Sequence, residues 1–147
     1  DSGPKLDSKW LSNNSIKDLI LSTEAKHVLL IVDSCFSGSL TRGSGDNKSV
    51  EKLTTNEINR LQKLITRFVI TSGGNEDVVD GVGGSKNSVF AEPLIKTLKN
   101  NNDVLRSYEL FQEVRSFVID NADQTPNHST IHGTGHDGGE FLFFPVS

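Results

Sequence analysis

The only cysteine of the chain, Cys35, stands just past an apolar run, His27-Val-Leu-Leu-Ile-Val-Asp33, and is followed by Phe36-Ser-Gly38. That run is short and rich in β-branched residues, the pattern of a strand covered on both faces. A thiol just beyond the carboxyl end of such a strand lies where open α/β sheets concentrate ligands and catalysis. Ser37 and Gly38 are small enough for a tight turn that leaves the sulfur accessible. A nucleophilic thiol needs a raised thiolate fraction, and therefore a base or a positive charge close by. Most lone cysteines are simply small buried hydrophobes. A strand end between an acid and a Ser-Gly turn is an unusual place for one of those. Asp33 lies two residues before Cys35, so strand alternation points both side chains the same way.

Four histidines are available as bases. His27 opens the strand that Cys35 follows, and at roughly 3.3 Å per residue it is far out of hydrogen-bond reach. His128, His132 and His136 fall in a late segment read as a polar loop. Their irregular spacing and the single cysteine argue against a zinc site, and no metal ligand set is expected.

These residues need elements to position them. Ser12 to Ser22 reads as a short helix capped by Ser12 or Asn13, with Ile16, Leu19 and Ile20 as its apolar stripe. Residues 37–54 are Gly/Ser-rich and polar, a flexible connection. Thr55 to Ile65 is helical, and Arg67 to Ser72 is a second buried-type strand ending in Gly73-Gly74. Ser88 to Lys99 is helical with Val89, Phe90, Leu94, Ile95 and Leu98 facing inward. A further helix spans about Tyr108 to Ile119, with Leu110, Phe111, Val114 and Phe117 as its apolar face. Residues 121–139 read as loop, and Phe141 to Pro145 as a final strand. Strands alternating with helices make the class α/β. Three strands are few for an open sheet, and the chain begins at Asp1 without a methionine. Both features predict a piece of one larger domain whose N-terminal strands lie elsewhere.

Bulk properties narrow the partners. The 147 residues are enough for one cored domain. A net charge of -4 argues against nucleic acid or an anionic membrane surface as the main partner. No apolar run approaches the roughly 20 residues of a spanning helix. No signal-peptide pattern is present, and one cysteine permits no internal disulfide. These features predict a cytoplasmic location.

The stretch Leu29-Leu-Ile-Val-Asp-Ser-Cys-Phe-Ser-Gly38 resembles the nucleophile motif of the caspase-like cysteine peptidases, in their bacterial and metacaspase-type branch. Further blocks agree in order: Phe68-Val-Ile-Thr-Ser-Gly-Gly74, Asn87-Ser-Val-Phe90, Gln124-Thr-Pro126, and Gly135-His-Asp-Gly-Gly-Glu-Phe-Leu-Phe143. The resemblance runs from about Trp10 to Pro145 and implies a caspase-like α/β/α sandwich around a mainly parallel sheet. It also implies a Cys-His dyad whose histidine sits roughly 50 residues before the cysteine. Only 34 residues precede Cys35, so that histidine is expected upstream, in the N-terminal part of the same domain as a covalent or separate partner. The implied chemistry is acyl transfer. The upstream histidine takes the thiol proton, the thiolate attacks a peptide carbonyl, and backbone donors, the Cys35 N–H among them, hold the oxyanion.

The resemblance places Asp33 in the first specificity pocket, where the matching acid of metacaspases and paracaspases binds a substrate Arg or Lys. Glu76 matches a paracaspase acid in the same pocket, and the loop around it, Asn75 to Asp80, has no basic residue to hold an aspartate. A carboxylate pocket pairs best with a guanidinium, which predicts cleavage of protein or peptide substrates after Arg and less efficiently after Lys. The plainer readings are a solvated loop for Glu76 and a turn-capping acid for Asp33. Metacaspase calcium sites use acids before the preceding helix and after the cysteine. Here those places read Ser12-Asn-Asn-Ser15 and Arg42, with Asp46 further on. The loss of anionic ligands argues against calcium dependence, and no cofactor is expected. Arg42, in the connection after the nucleophile, is a candidate self-cleavage site or merely a solubilising linker residue. The rival reading is a catalytically inactive caspase-like scaffold.

Overall fold

Ser12 caps the first helix, as its hydroxyl accepts the Ser15 N–H at 3.1 Å and so satisfies one of the free donors of the first turn. The helix, α1, spans Asn13–Ser22 and buries Ile16 and Ile20, while Leu19 stays 66% exposed. The structure is a computed structural model that describes residues 12–33, 51–73 and 85–146, together with the backbone of 41–42.

The remaining elements are β1 (His27–Val32), β2 (Thr41–Arg42), α2 (Thr55–Lys63), β3 (Thr66–Thr71), α3 (Ala91–Lys99), β4 (Leu105–Arg106), α4 (Ser107–Asn121), β5 (Asn127–Ile131) and β6 (Leu142–Phe143). Helix α2 opens on a full capping box between Thr54 and Glu57. The α3 cap sits earlier than the regular helix. Ser88 Oγ accepts the Ala91 N–H at 2.9 Å, and the Ser88 carbonyl accepts the Glu92 N–H at 3.0 Å. The expected start at Ser88 is thus the cap itself.

The main sheet has the order β1-β3-β5-β2. Strands β1 and β3 are parallel, with Leu29 opposite Phe68 and Val32 opposite Thr71. Strand β5 runs antiparallel to β3 and also to β2. The sheet is therefore mixed, where a mainly parallel one was expected. The reason is local: after α4 the chain enters β5 beside Thr71, at the carboxyl end of β3, and must run back down it. Residues 121–139, expected as loop, contain β5. The connection expected over 37–54 contains β2. The last strand shortens to Leu142–Phe143 and pairs with β4 in a separate two-stranded sheet.

Alternation along the strands loads both faces of the sheet. On one face Ile70, Val89, Phe90, Leu110, Phe111, Val114 and Val118 form a core, with Leu29 and Ile31 packed against it. On the other, Val69 and Ile131 meet Ile16 and Ile20 of α1, with Val28, Leu30 and Val32 alongside. Val118, one turn beyond Val114, takes the inward place expected of Phe117, and Ile95 likewise points outward. Ile70 is fully buried at the centre of the larger core. Ile70→Ala is expected to lower unfolding free energy by roughly 2–5 kcal/mol, read from the urea midpoint at unchanged slope.

Strand β1 stands at the edge of this sheet, and all six of its residues are only half-buried. Among the described residues nothing pairs with its outer edge.

Candidate active site at the carboxyl edge of β1

The ends of β1 and β3 are tied together by the Ser72 N–H, which donates to the Val32 carbonyl at 3.0 Å. Asp33 follows immediately, with an exposed side chain. Its Oδ2 accepts a hydrogen bond from the Ser88 hydroxyl, 55 residues away in sequence. Asp33 is thus held by the start of α3, a long-range contact that the turn-capping reading did not foresee. The segment before Ser88 is fastened as well. Ser85 Oγ donates to Glu92 Oε2 at 2.6 Å and Asn87 Nδ2 at 3.2 Å, and these bonds hold the Glu92 carboxyl below its ordinary value.

On the other side of the edge, Gly73 adopts φ +84° directly against the Thr125 carbonyl. The Phe68–Gly74 and Gln124–Pro126 blocks singled out in the sequence therefore meet there, through Gly73 and Thr125.

Cys35 and Glu76 lie outside the described residues, as do Asp46, Asp77 and Asp80. Arg42 is placed by its backbone alone, in β2 opposite Thr130. With β3 and β5 between them, β2 and β1 are about 14 Å apart across the sheet.

None of the four histidines stands beside Asp33. His27 is the first residue of β1, at the opposite end, with Nε2 2.9 Å from the Gln62 carbonyl oxygen. His132 is exposed in the turn after β5. His136 is not a free loop residue. Its Nδ1 accepts the Arg67 N–H at 3.1 Å, and the next residues continue the pairing through Asp137 N–H to the Ile65 carbonyl at 2.9 Å. The Arg67 guanidinium is buried and reaches the carbonyls of Lys26, Thr66 and Ala25 at 2.7, 2.8 and 2.9 Å.

His128, also expected in a loop, lies within β5 opposite Ile70 and is 5% exposed. It is two strands from β1, about 10 Å. Its ring is walled by Phe68, Phe111 and Tyr108, with centroids 4.5, 5.5 and 5.7 Å away. Its Nε2 is 3.0 Å from Ser107 Oγ, and that hydroxyl donates to Glu140 Oε1 at 2.6 Å. Serine has one proton to give. It goes to Glu140, so His128 Nε2 carries the hydrogen and donates to the serine.

This serine, histidine and acid set resembles a hydrolase triad in composition and differs from one in direction. In a triad the serine hydroxyl donates to the histidine, whereas here it donates to the acid. Ser107 is moreover fully buried at the first turn of α4. The set is a structural strut joining β5, α4 and the approach to β6. Burial pushes the His128 pKa down to about 4. Spacing in the sequence carried no sign of the set, because its members come from three separate segments.

A cavity of about 250 Å³ lies between Glu51, Lys52, Leu53, Asp103, Val104 and Glu109. The exposed Lys52–Asp103 ion pair, at 2.8 Å, borders it, and Asp33 does not line it. Among the described residues no group of three or more His, Cys, Asp and Glu could hold a metal ion. No described helix is long and apolar enough to cross a membrane. The described residues form a small α/β domain with a mixed sheet and an exposed, fastened carboxylate at the carboxyl end of its edge strand. Comparison with models of protein families, with curated proteins and with solved structures gave no match for this chain.

Proposed function

We propose that this chain is the C-terminal part of a caspase-like cysteine endopeptidase domain that cleaves after Arg, and less efficiently after Lys. The observation that carries the reading is Asp33, an exposed carboxylate at the carboxyl end of β1, two residues before the only cysteine. Cys35 is the nucleophile. Asp33, with Glu76, accepts the charged bonds of the substrate's basic side chain. The caspase-like sandwich is part of the same proposal, supported by two cores on opposite faces of a sheet whose β1 and β3 are parallel.

The activating histidine comes from the N-terminal part of the domain. The half-buried residues of β1 and its outer edge, unpaired among the described residues, support a further strand there. That strand would bring the base to the end of the sheet where Asp33 stands. Self-cleavage after Arg42 belongs to this reading too, and requires β2 to leave β5 so that the backbone can enter a cleft.

The test is hydrolysis of matched fluorogenic peptides with Arg, Lys or Asp at the cleaved position, using the full-length protein with and without a chelator. Turnover is expected after Arg, weaker after Lys and none after Asp, and indifferent to chelation. Cys35→Ala should lower it by roughly 10³-fold or more. Asp33→Asn should lower kcat/KM on the Arg peptide by roughly 100-fold, the cost of leaving a guanidinium without its charged partner. Turnover after Asp would overturn the specificity. No turnover on any peptide would favour the inactive scaffold.

A further inference from the structure

We propose that Ser88 is a positioning residue for the basic-residue pocket, orienting the Asp33 carboxylate so that a substrate guanidinium meets it face to face. The inference rests on the pocket reading of Asp33 and adds a residue to it.

Three features carry it. First, the Ser88 hydroxyl donates to Asp33 Oδ2, so one carboxylate oxygen is committed to the protein. A carboxylate offers about four lone-pair positions on two oxygens. Holding one of them restricts how the group can turn, and among the described residues no partner is seen on Oδ1, which leaves it for a ligand. Second, the hydroxyl is itself fixed. It accepts the Ala91 N–H at 2.9 Å, and the Ser88 carbonyl accepts the Glu92 N–H at 3.0 Å. The next two residues, Val89 and Phe90, are buried in the main core. Ser88 therefore cannot swing away without unseating the start of α3. Third, the contact joins residues 55 apart. Among the described residues, the bond that orients Asp33 comes from a second element.

The consequence falls on the choice between Arg and Lys. A guanidinium is a planar fork whose paired bonds demand an oriented carboxylate, whereas an ammonium is a point charge that accepts many orientations. Losing the Ser88 hydroxyl should weaken Arg recognition more than Lys recognition. The effect should appear in KM, because a basic side chain remote from the reacting carbonyl is bound in ground and transition states alike.

Ser88→Gly tests this, since glycine is tolerated at a helix cap nearly as well as serine yet supplies no hydroxyl. Ser88→Thr is the rescue variant, keeping both the cap and the donor. In the full-length protein, kcat and KM are measured for each with matched Arg and Lys peptides. For Ser88→Gly we expect KM on the Arg peptide to rise roughly 10-fold, kcat to hold and the Arg-to-Lys preference to narrow. Ser88→Thr should restore both values. An unchanged preference in an active Ser88→Gly protein would overturn the role of Ser88 alone. So would equal losses of kcat on both peptides, which mark a merely structural defect. Absence of turnover on either peptide by the wild-type protein would overturn the pocket reading and the role of Ser88 with it.

Discussion

Gly73→Ala is expected to destabilise the protein by roughly 3–5 kcal/mol, among the largest effects of any single methyl group. A Cβ at this position would lie 1.8 Å from the Thr125 carbonyl oxygen and 2.3 Å from its carbon. Both are backbone atoms, so no side chain can turn aside to relieve the clash. The φ of +84° adds a torsional cost of about 1–2 kcal/mol for any L side chain. Relief requires Thr125 and Pro126 to move, and the Thr71–Asn127 pairing that starts β5 follows directly behind them. Gly135→Ala separates the two contributions. Its φ is +86°, but nothing lies within 4 Å of its Cβ position, so only the torsional part should appear. Urea unfolding midpoints of the two variants at equal slope provide the measurement. Similar losses in both would show that close approach of the backbone at Gly73 carries no energy.

Acidification is expected to remove on the order of 3 kcal/mol of stability through His128 alone. The ring is neutral in the fold, with a pKa of about 4 against an ordinary 6.5, and desolvation is the main cause. Between those values the unfolded chain binds a proton that the folded chain refuses. Stability is therefore complete above about pH 6.5 and falls as pH drops towards 4, below which both states carry the proton. Protonation would place a charge beside the rings of Phe68, Phe111 and Tyr108, and next to His136, which also disfavours it. His136 is held below its ordinary value by burial and adds loss in the same direction. His128→Gln keeps a donor towards Ser107 and cannot titrate. Urea midpoints measured from pH 7 to pH 4.5 should fall steeply in the wild type and much less in His128→Gln. Parallel slopes would mean that the His128 site is wet enough to accept the charge.

His128 and His136 read as loop residues because Asn127-His-Ser-Thr-Ile131 has no apolar alternation to mark a strand. The polar side chain of His128 is buried in β5 only because Ser107, from α4, meets it. Such a strand becomes visible when its partners are in place. Helix α4 shows the opposite case. Leu110, Phe111 and Val114 lie at helical spacing and are buried as that spacing predicts, with Val118 completing the stripe. At the candidate site, Asp33 was legible from its place after an apolar run, while Ser88 was not. Ser88 reads in the sequence as the first residue of a helix; the structure makes it that helix's cap, and its donor bond crosses to another element.

What the sequence determined by itself was local: the helix cap at Ser12, the apolar strands β1 and β3, and the alternation of strand and helix. Each follows from forces acting over a few residues, namely capping hydrogen bonds, side-chain periodicity and the burial of short apolar runs. Only the tertiary structure decided that β5 runs back against β3, that β2 closes the far edge, and that β1 keeps an outer edge unpaired among the described residues. It alone set the fastening of Asp33 by Ser88 and the inverted Ser107–His128–Glu140 strut. These last contacts depend on hydrogen bonds between residues 21 to 55 positions apart. Their partners become neighbours only after both faces of the sheet are packed, so no local pattern can encode them.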